Sequence, residues 1–164
     1  MAASSLEPEQ ILRDLLRLDP GLRLERYYGE RSIFYNPARL APLGMIFCSI
    51  KDHDGPNDKA SRLSRPDVYR FAFALPGREY QRRFGPAPRC PPKGERLQLP
   101  GHDLSRPGVL TPHPVYAWMR WVQILAPTPA HLDEVRPLLM DSLGEVRAKW
   151  KRRTDRGIMG SCRW

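Results

Sequence analysis

The sequence predicts an α+β domain: about five mostly antiparallel strands in one sheet, with an N-terminal and a C-terminal helix packed on it. Three observations point there. Apolar residues recur at helical spacing near both ends, at Ile11, Leu12, Leu15, Leu16 and Leu18 and again at Leu132, Val135, Leu139, Leu143, Val146 and Trp150. Residues 68–75 alternate strictly, as a strand with two different faces does. The remaining apolar runs are short and separated by Gly, Pro and Asn.

Each element has a local reason. Ser4 with Glu7 makes a capping-box pattern ahead of Pro8, so the first helix begins there, and Asp19-Pro20-Gly21 ends it. Residues 22–28 and 31–35 flank Gly29-Glu30, and Gly at the first loop position suits a type II′ hairpin. Asn36-Pro37 closes the second strand. Residues 45–50, MIFCSI, are continuously apolar, which predicts a strand covered on both faces. In 68–75 the aromatic set Tyr69, Phe71, Phe73 and Leu75 is assigned to the core, which leaves Arg70 on the other face, within reach of the loop before it. A short helix is expected over 78–84. Residues 85–114 hold eight of the 18 prolines and are expected to cross one face of the sheet as a strap. Residues 115–125, VYAWMRWVQIL, read as a central last strand. Thr128 caps the final helix, Pro129 opens it, and Pro137 is expected to kink it or to start its main segment. Residues 1–153 thus make one domain, and 154–164 a flexible basic tail.

Composition narrows the function classes. A chain of 164 residues with 41% hydrophobic and 27% charged residues can bury a single core. No apolar run approaches the roughly 20 residues of a membrane span, and the N-terminus lacks a signal-peptide pattern. The expected location is cytoplasmic, with no membrane partner. Three cysteines, Cys48, Cys90 and Cys162, fit neither a disulfide framework nor a CxxC metal site. Of the nine net positive charges, six fall in residues 147–164. A basic tail can attach to phosphate by counterion release, and it is equally what a solvated helix end looks like.

The densest polar stretch lies between the strands 45–50 and 68–75. It carries Lys51, Asp52, His53, Asp54, Asn57, Asp58, Lys59, Ser61, Arg62, Ser64, Arg65 and Asp67. With the stretches GERSIFYNP (29–37), SIKDHDGPNDKASRLSRPDVYRF (49–71), FGPAPRCPPKG (84–94) and HPVYAWMRWV (113–122), the chain resembles a family of bacterial proteins, common in actinomycetes, classed as a domain of unknown function. The likeness covers most of residues 22–153. It departs at Tyr28, where the family usually carries Trp, and at Ala74-Leu75-Pro76, where it carries a Gly-containing strand end. More distantly the order of elements is similar to MmcQ/YjbR-type domains, small α+β proteins sometimes described as DNA-binding-like. Neither likeness implies an established activity.

The positions shared with the family's charged pattern are Lys51, Asp54, Asp58, Arg65 and Arg70, with Glu30 from the hairpin as a neighbour. Two readings stand side by side. One is a structural ion-pair lattice, with Asn57 and Ser61 capping turns. The other is a ligand site in which Arg65 and Arg70 fork a carboxylate or phosphate while Asp54 or Asp58 orients a hydroxyl or amine. His113, held between two prolines near Tyr116 and Trp118, is the candidate general base or ligand contact. His53, His102 and Asp103 lack metal-ligand spacing, so neither a metal nor another cofactor is expected. Trp118 and Trp121 serve either as core or as a stacking surface. The functional expectation is a small polar or anionic ligand bound by Lys51, Asp54, Asp58, Arg65, Arg70, His113, Tyr116 and Trp118, in a monomer or homodimer. The alternative is a nucleic-acid-associated module using the tail and Arg78, Arg82, Arg83, Arg89 and Arg96.

Overall fold

Six strands form one antiparallel sheet in the order β1-β2-β3-β4-β6-β5 in the computed structural model, which describes residues 4–157. The elements are α1 (Pro8–Leu16), β1 (Leu22–Tyr27), β2 (Glu30–Tyr35), β3 (Met45–Lys51), β4 (Arg70–Ala74), α2 (Gly77–Phe84), β5 (Thr111–Pro112), β6 (Trp121–Leu125) and α3 (Pro129–Asp155). The class is α+β, with six strands where about five were expected. The extra one is β5, a two-residue edge strand within the strap.

The core lies between the sheet and its two long helices. Ile33, Cys48, Ile50, Phe71, Phe73, Val122 and Ile124 pack beneath α1 and α3. The aromatic set of residues 69–75 faces this core throughout. In α3 the stripe Val135, Leu139, Leu143, Val146 and Trp150 is buried, because residues three and four apart share a face. At its start Thr128 Oγ1 accepts from the His131 N–H, and His131 Nδ1 accepts from the Thr128 N–H. Pro137 neither breaks nor restarts this helix, which runs unbroken from Pro129 to Asp155.

The other sheet face is also covered. Ser32, Ser49, Ala72, Gln123 and Thr111 form one cross-strand row, and all are buried. What covers them is irregular chain. The Ser61 hydroxyl of the charged loop donates to Gln123 Oε1 at 2.8 Å, and Gln123 Nε2 donates to the Leu104 carbonyl of the strap at 2.9 Å. The arrangement is therefore helices, sheet, and a layer of loop and strap.

Several expectations need correction. The first helix is capped at Glu7 without a side-chain bond, so the Ser4–Glu7 box does not form. The hairpin turn is Tyr28-Gly29 rather than Gly29-Glu30, with φ of 48° and 75°. Two left-handed residues are the type I′ pattern, whose twist matches the strands it joins. Residues 115–125 are not one strand: Ala117–Met119 is a 3-10 turn, Arg120 is left-handed, and β6 starts at Trp121. The helix passes through Thr154, whose hydroxyl bonds the Trp150 carbonyl at 3.2 Å. The rest of the expected tail, from residue 158, lies outside the described residues. Gly44 is required where it stands, since at φ +92° an added Cβ would sit 2.4 Å from the Tyr35 carbonyl oxygen. No helix among the described residues is long and apolar enough to cross a membrane.

Candidate functional site

Strand register places Lys51 of β3 directly opposite Arg70 of β4. Two cations facing each other across a ladder repel, and here both side chains are withdrawn from water, Arg70 almost completely at 1% exposure. The pair is held by carboxylates from two other places. Asp58 Oδ1 accepts from Arg70 Nη1 at 2.9 Å, while its Oδ2 accepts from Arg70 Nη2 at 2.5 Å and from Lys51 Nζ at 2.9 Å. Glu30, first residue of β2, lies 3.6 Å from Lys51 and 3.8 Å from Arg70. Two cations meet two anions, so the cluster is electrically closed.

Asp58 reaches this position through a tight turn in which Gly55 and Asp58 exchange backbone hydrogen bonds at 3.1 and 3.2 Å. Burial alone would raise the Asp58 carboxyl. The hydrogen bond and charge of Arg70, and then those of Lys51, outweigh burial and hold it well below the usual carboxylate range. Asp58 is thus a permanent anion whose oxygens are already engaged. Arg70, bidentate on Asp58, has no free fork for a ligand; its Nε is buried without a partner among the described residues.

Asp54 and Arg65 stand outside the lattice. Asp54 Oδ1 accepts from the Leu63 N–H at 2.8 Å, and its own N–H donates to Ser64 Oγ at 3.1 Å. Arg65 donates to the carbonyls of Arg62, Ser61 and Ser105, the last at 2.8 Å. One residue closes the charged loop and the other ties it to the strap.

His113 is buried, and its Nδ1 accepts from the N–H groups of Val115 and Tyr116 at 3.0 and 3.1 Å. An Nδ1 receiving two donors carries no proton, so the neutral ring bears its hydrogen on Nε2. Burial, and then the positive charge of Arg70, push the ring further toward the neutral form. A fixed Nε2–H donor suits a ligand contact better than a general base, the two roles expected from sequence. Tyr116 stacks on this ring at 5.0 Å and is partly exposed. Trp118 lies elsewhere, in a cleft lined by Ala74, at the opposite end of β4 from Arg70.

The eight expected ligand residues therefore separate into a lattice (Lys51, Asp58, Arg70), two loop braces (Asp54, Arg65), a turn pair (His113, Tyr116) and one distant aromatic (Trp118). Cys48 is fully buried, and that burial pushes its thiol up, so it is a core residue. Among the described residues no three of His, Cys, Asp and Glu gather as metal ligands.

Sequence reasoning missed two features. One is the buried chain Ser61–Gln123–Thr111, for which the signal was a lone Gln inside the apolar run WVQIL. The other is a cleft of about 270 Å³ between the charged loop and the strap, lined by Asn57, Asp58 and Lys59 on one side and by Arg96, Leu97 and Pro114 on the other. Neither Lys59 nor Arg96 forms an ion pair with another described residue. Lys51, Arg65 and Arg70 are not on its wall.

No curated protein and no solved structure matches the chain. A family model does: residues 6–155 match DUF6194, described as a family of unknown function, and the chain belongs to that family.

Proposed function

We propose that this domain binds a small anionic molecule in the cleft between the charged loop and the proline-rich strap. The observation that carries the reading is that Lys59 and Arg96, two cations without ion-pair partners among the described residues, border a pocket with apolar walls. Glu95 is the one uncompensated acid beside them, since Asp58 is neutralised by Arg70 and Lys51. The local charge is therefore positive by one, and an anion entering restores neutrality. Binding sites commonly combine an apolar lining with a few placed polar groups, of which Asn57 supplies an amide. In this reading Lys51 and Arg70 do not touch the ligand; they hold Asp58, which lines the cleft, and so fix the loop from which Asn57 and Lys59 project.

The nucleic-acid alternative draws less support from the surface. Arg82 and Arg83 pair with Glu79, Arg147 with Asp19, and Lys151 with Asp155. Native mass spectrometry of gently purified full chain, with and without duplex DNA at about 150 mM salt, separates the two. A retained small anion that is lost in Lys59→Ala/Arg96→Ala, with an unchanged melting midpoint, is the expected result. Absence of any adduct, together with a salt-sensitive DNA complex, would transfer the function to the basic surface.

A further inference from the structure

We propose a second site, independent of the loop cleft and sharing no residue with it: the cleft between α3 and the 3-10 turn Ala117–Met119 binds a small aromatic carboxylate. This open cleft has a volume of about 470 Å³, within the usual range for small-molecule sites. Its walls are apolar and polarisable, built from Met45, Trp118, Met119, Trp121 and Val146. Trp118 and Met119 remain 37% and 40% exposed, although their neighbours Ala117 and Trp121 are buried. Such large side chains left half open around a concavity gain area when a flat apolar group enters.

The polar side of the cleft decides the ligand's charge. Arg120, Ser142, Glu145 and Lys149 line it. Arg120 adopts a left-handed backbone, φ 64° and ψ 24°, which a non-glycine residue takes at a cost of about 1 kcal/mol or more. That backbone is pinned, its carbonyl accepting from the Leu75 N–H at 2.9 Å. The guanidinium is set between Gly77, where a Cβ would come within 3.2 Å of Nη1, and Glu145, 3.8 Å from Nη2. Its Nε is sealed from solvent and has no hydrogen-bond partner among the described residues. That nitrogen faces protein rather than the cleft, so a carboxylate in the cleft meets the exposed part of the Arg120 side chain, which is 37% accessible.

Lys149, one helical turn after Glu145, lines the same cleft and forms no ion pair with another described residue. Two cations against one anion leave a single positive charge. This matches a monoanion and disfavours a phosphate dianion, which Glu145 would repel. The carboxylate is placed on Arg120 with Lys149 beside it, and the ring between the tryptophans and methionines.

The test uses 1-naphthoate and its uncharged isostere 1-naphthamide, titrated into ¹⁵N-labelled full chain and followed by amide and indole N–H shifts. Saturable shifts of the Trp118 and Trp121 indoles by naphthoate, with the amide weaker by about tenfold, are expected. Arg120→Gln should weaken naphthoate by a similar factor. Lys149→Ala, on the surface of α3, should weaken it severalfold without moving the melting midpoint. Should Arg120→Gln fold poorly, the amide comparison and Lys149→Ala decide the matter. Equal binding of acid and amide, shifts away from the two indoles, or no saturation below about 1 mM would overturn the proposal.

Discussion

Asp58→Asn leaves the side chain's size unchanged and removes its charge. In the native lattice the carboxylate accepts two bonds from Arg70, at 2.9 and 2.5 Å, and one from Lys51 at 2.9 Å. The amide keeps one acceptor oxygen and turns an NH₂ toward two cations. Arg70, 1% exposed, is then left with Glu30 at 3.8 Å as its nearest counter-charge. Removing one partner of a buried ion pair costs about 3–5 kcal/mol, because the stranded charge can neither reach water nor find a substitute. At about 2–4 °C per kcal/mol for a chain of this size, the melting midpoint should fall by roughly 6–20 °C. Urea unfolding at pH 7 measures the free energy directly. Adding Arg70→Met to the same variant removes the stranded charge, so the double variant should be more stable than Asp58→Asn alone. A loss of less than about 1 kcal/mol for Asp58→Asn, or no recovery in the double variant, would refute a structural lattice. The acid limb gives a second readout. Because Asp58 is held below an unfolded value of about 3.9, the unfolded chain takes the proton first as pH falls. Its contribution is complete above about pH 5 and drains away through pH 4 and below, and Asp58→Asn should flatten that decline.

Two further outcomes follow from the geometry. His113 should appear by ¹⁵N NMR as the Nε2–H tautomer and stay neutral through pH 6, since burial and Arg70 both oppose its charging. Because unfolded histidine charges below about 6.5 and the folded ring does not, stability should also decline below that pH. His113→Asn, whose amide oxygen can take the place of Nδ1, should remove this decline at a cost of about 1 kcal/mol, and His113→Ala should cost more. Tyr28→Asn should stabilise the hairpin by about 0.5–1 kcal/mol in thermal unfolding, because Asn tolerates φ 48° better than Tyr and Asn-Gly is the preferred type I′ pair.

The sheet face of each residue in β4 is legible in the sequence, because alternation is a property of the strand alone. That was enough to place Arg70 opposite the aromatic set and near the charged loop. It could not say which acid would meet it, since Asp54 and Asp58 are four apart in an irregular loop and only the Gly55–Asp58 turn decides between them. The surroundings of Arg65 are hidden for the same reason: its partners are backbone carbonyls, which carry no signature in sequence. Residues 115–125 alternate as well as a strand does, but Arg120 turns left-handed at their centre, and the pattern of side-chain types does not report a backbone twist. The turn falls one residue earlier than a type II′ reading of its glycine predicts, because Tyr28 supplies a second positive φ beside Gly29. The loop cleft brings residue 59 beside residue 96, a closure that no local pattern encodes.

The two edges of the sheet are finished differently, and this bears on how readily a further strand could add to either. On one side β5 is only Thr111 and Pro112, and a proline has no N–H to offer an incoming strand. The chain adds a parallel bridge from Pro107 to Leu125, so this flank of β6 is occupied along much of its length. On the other side β1 presents six residues, with Arg23, Glu25 and Arg26 standing along the rim. Strand-on-strand growth is thus blocked by geometry at one margin and discouraged by charge at the other. The protection at β1 is the more fragile of the two, because three side chains maintain it where a ring and a bridge maintain its counterpart.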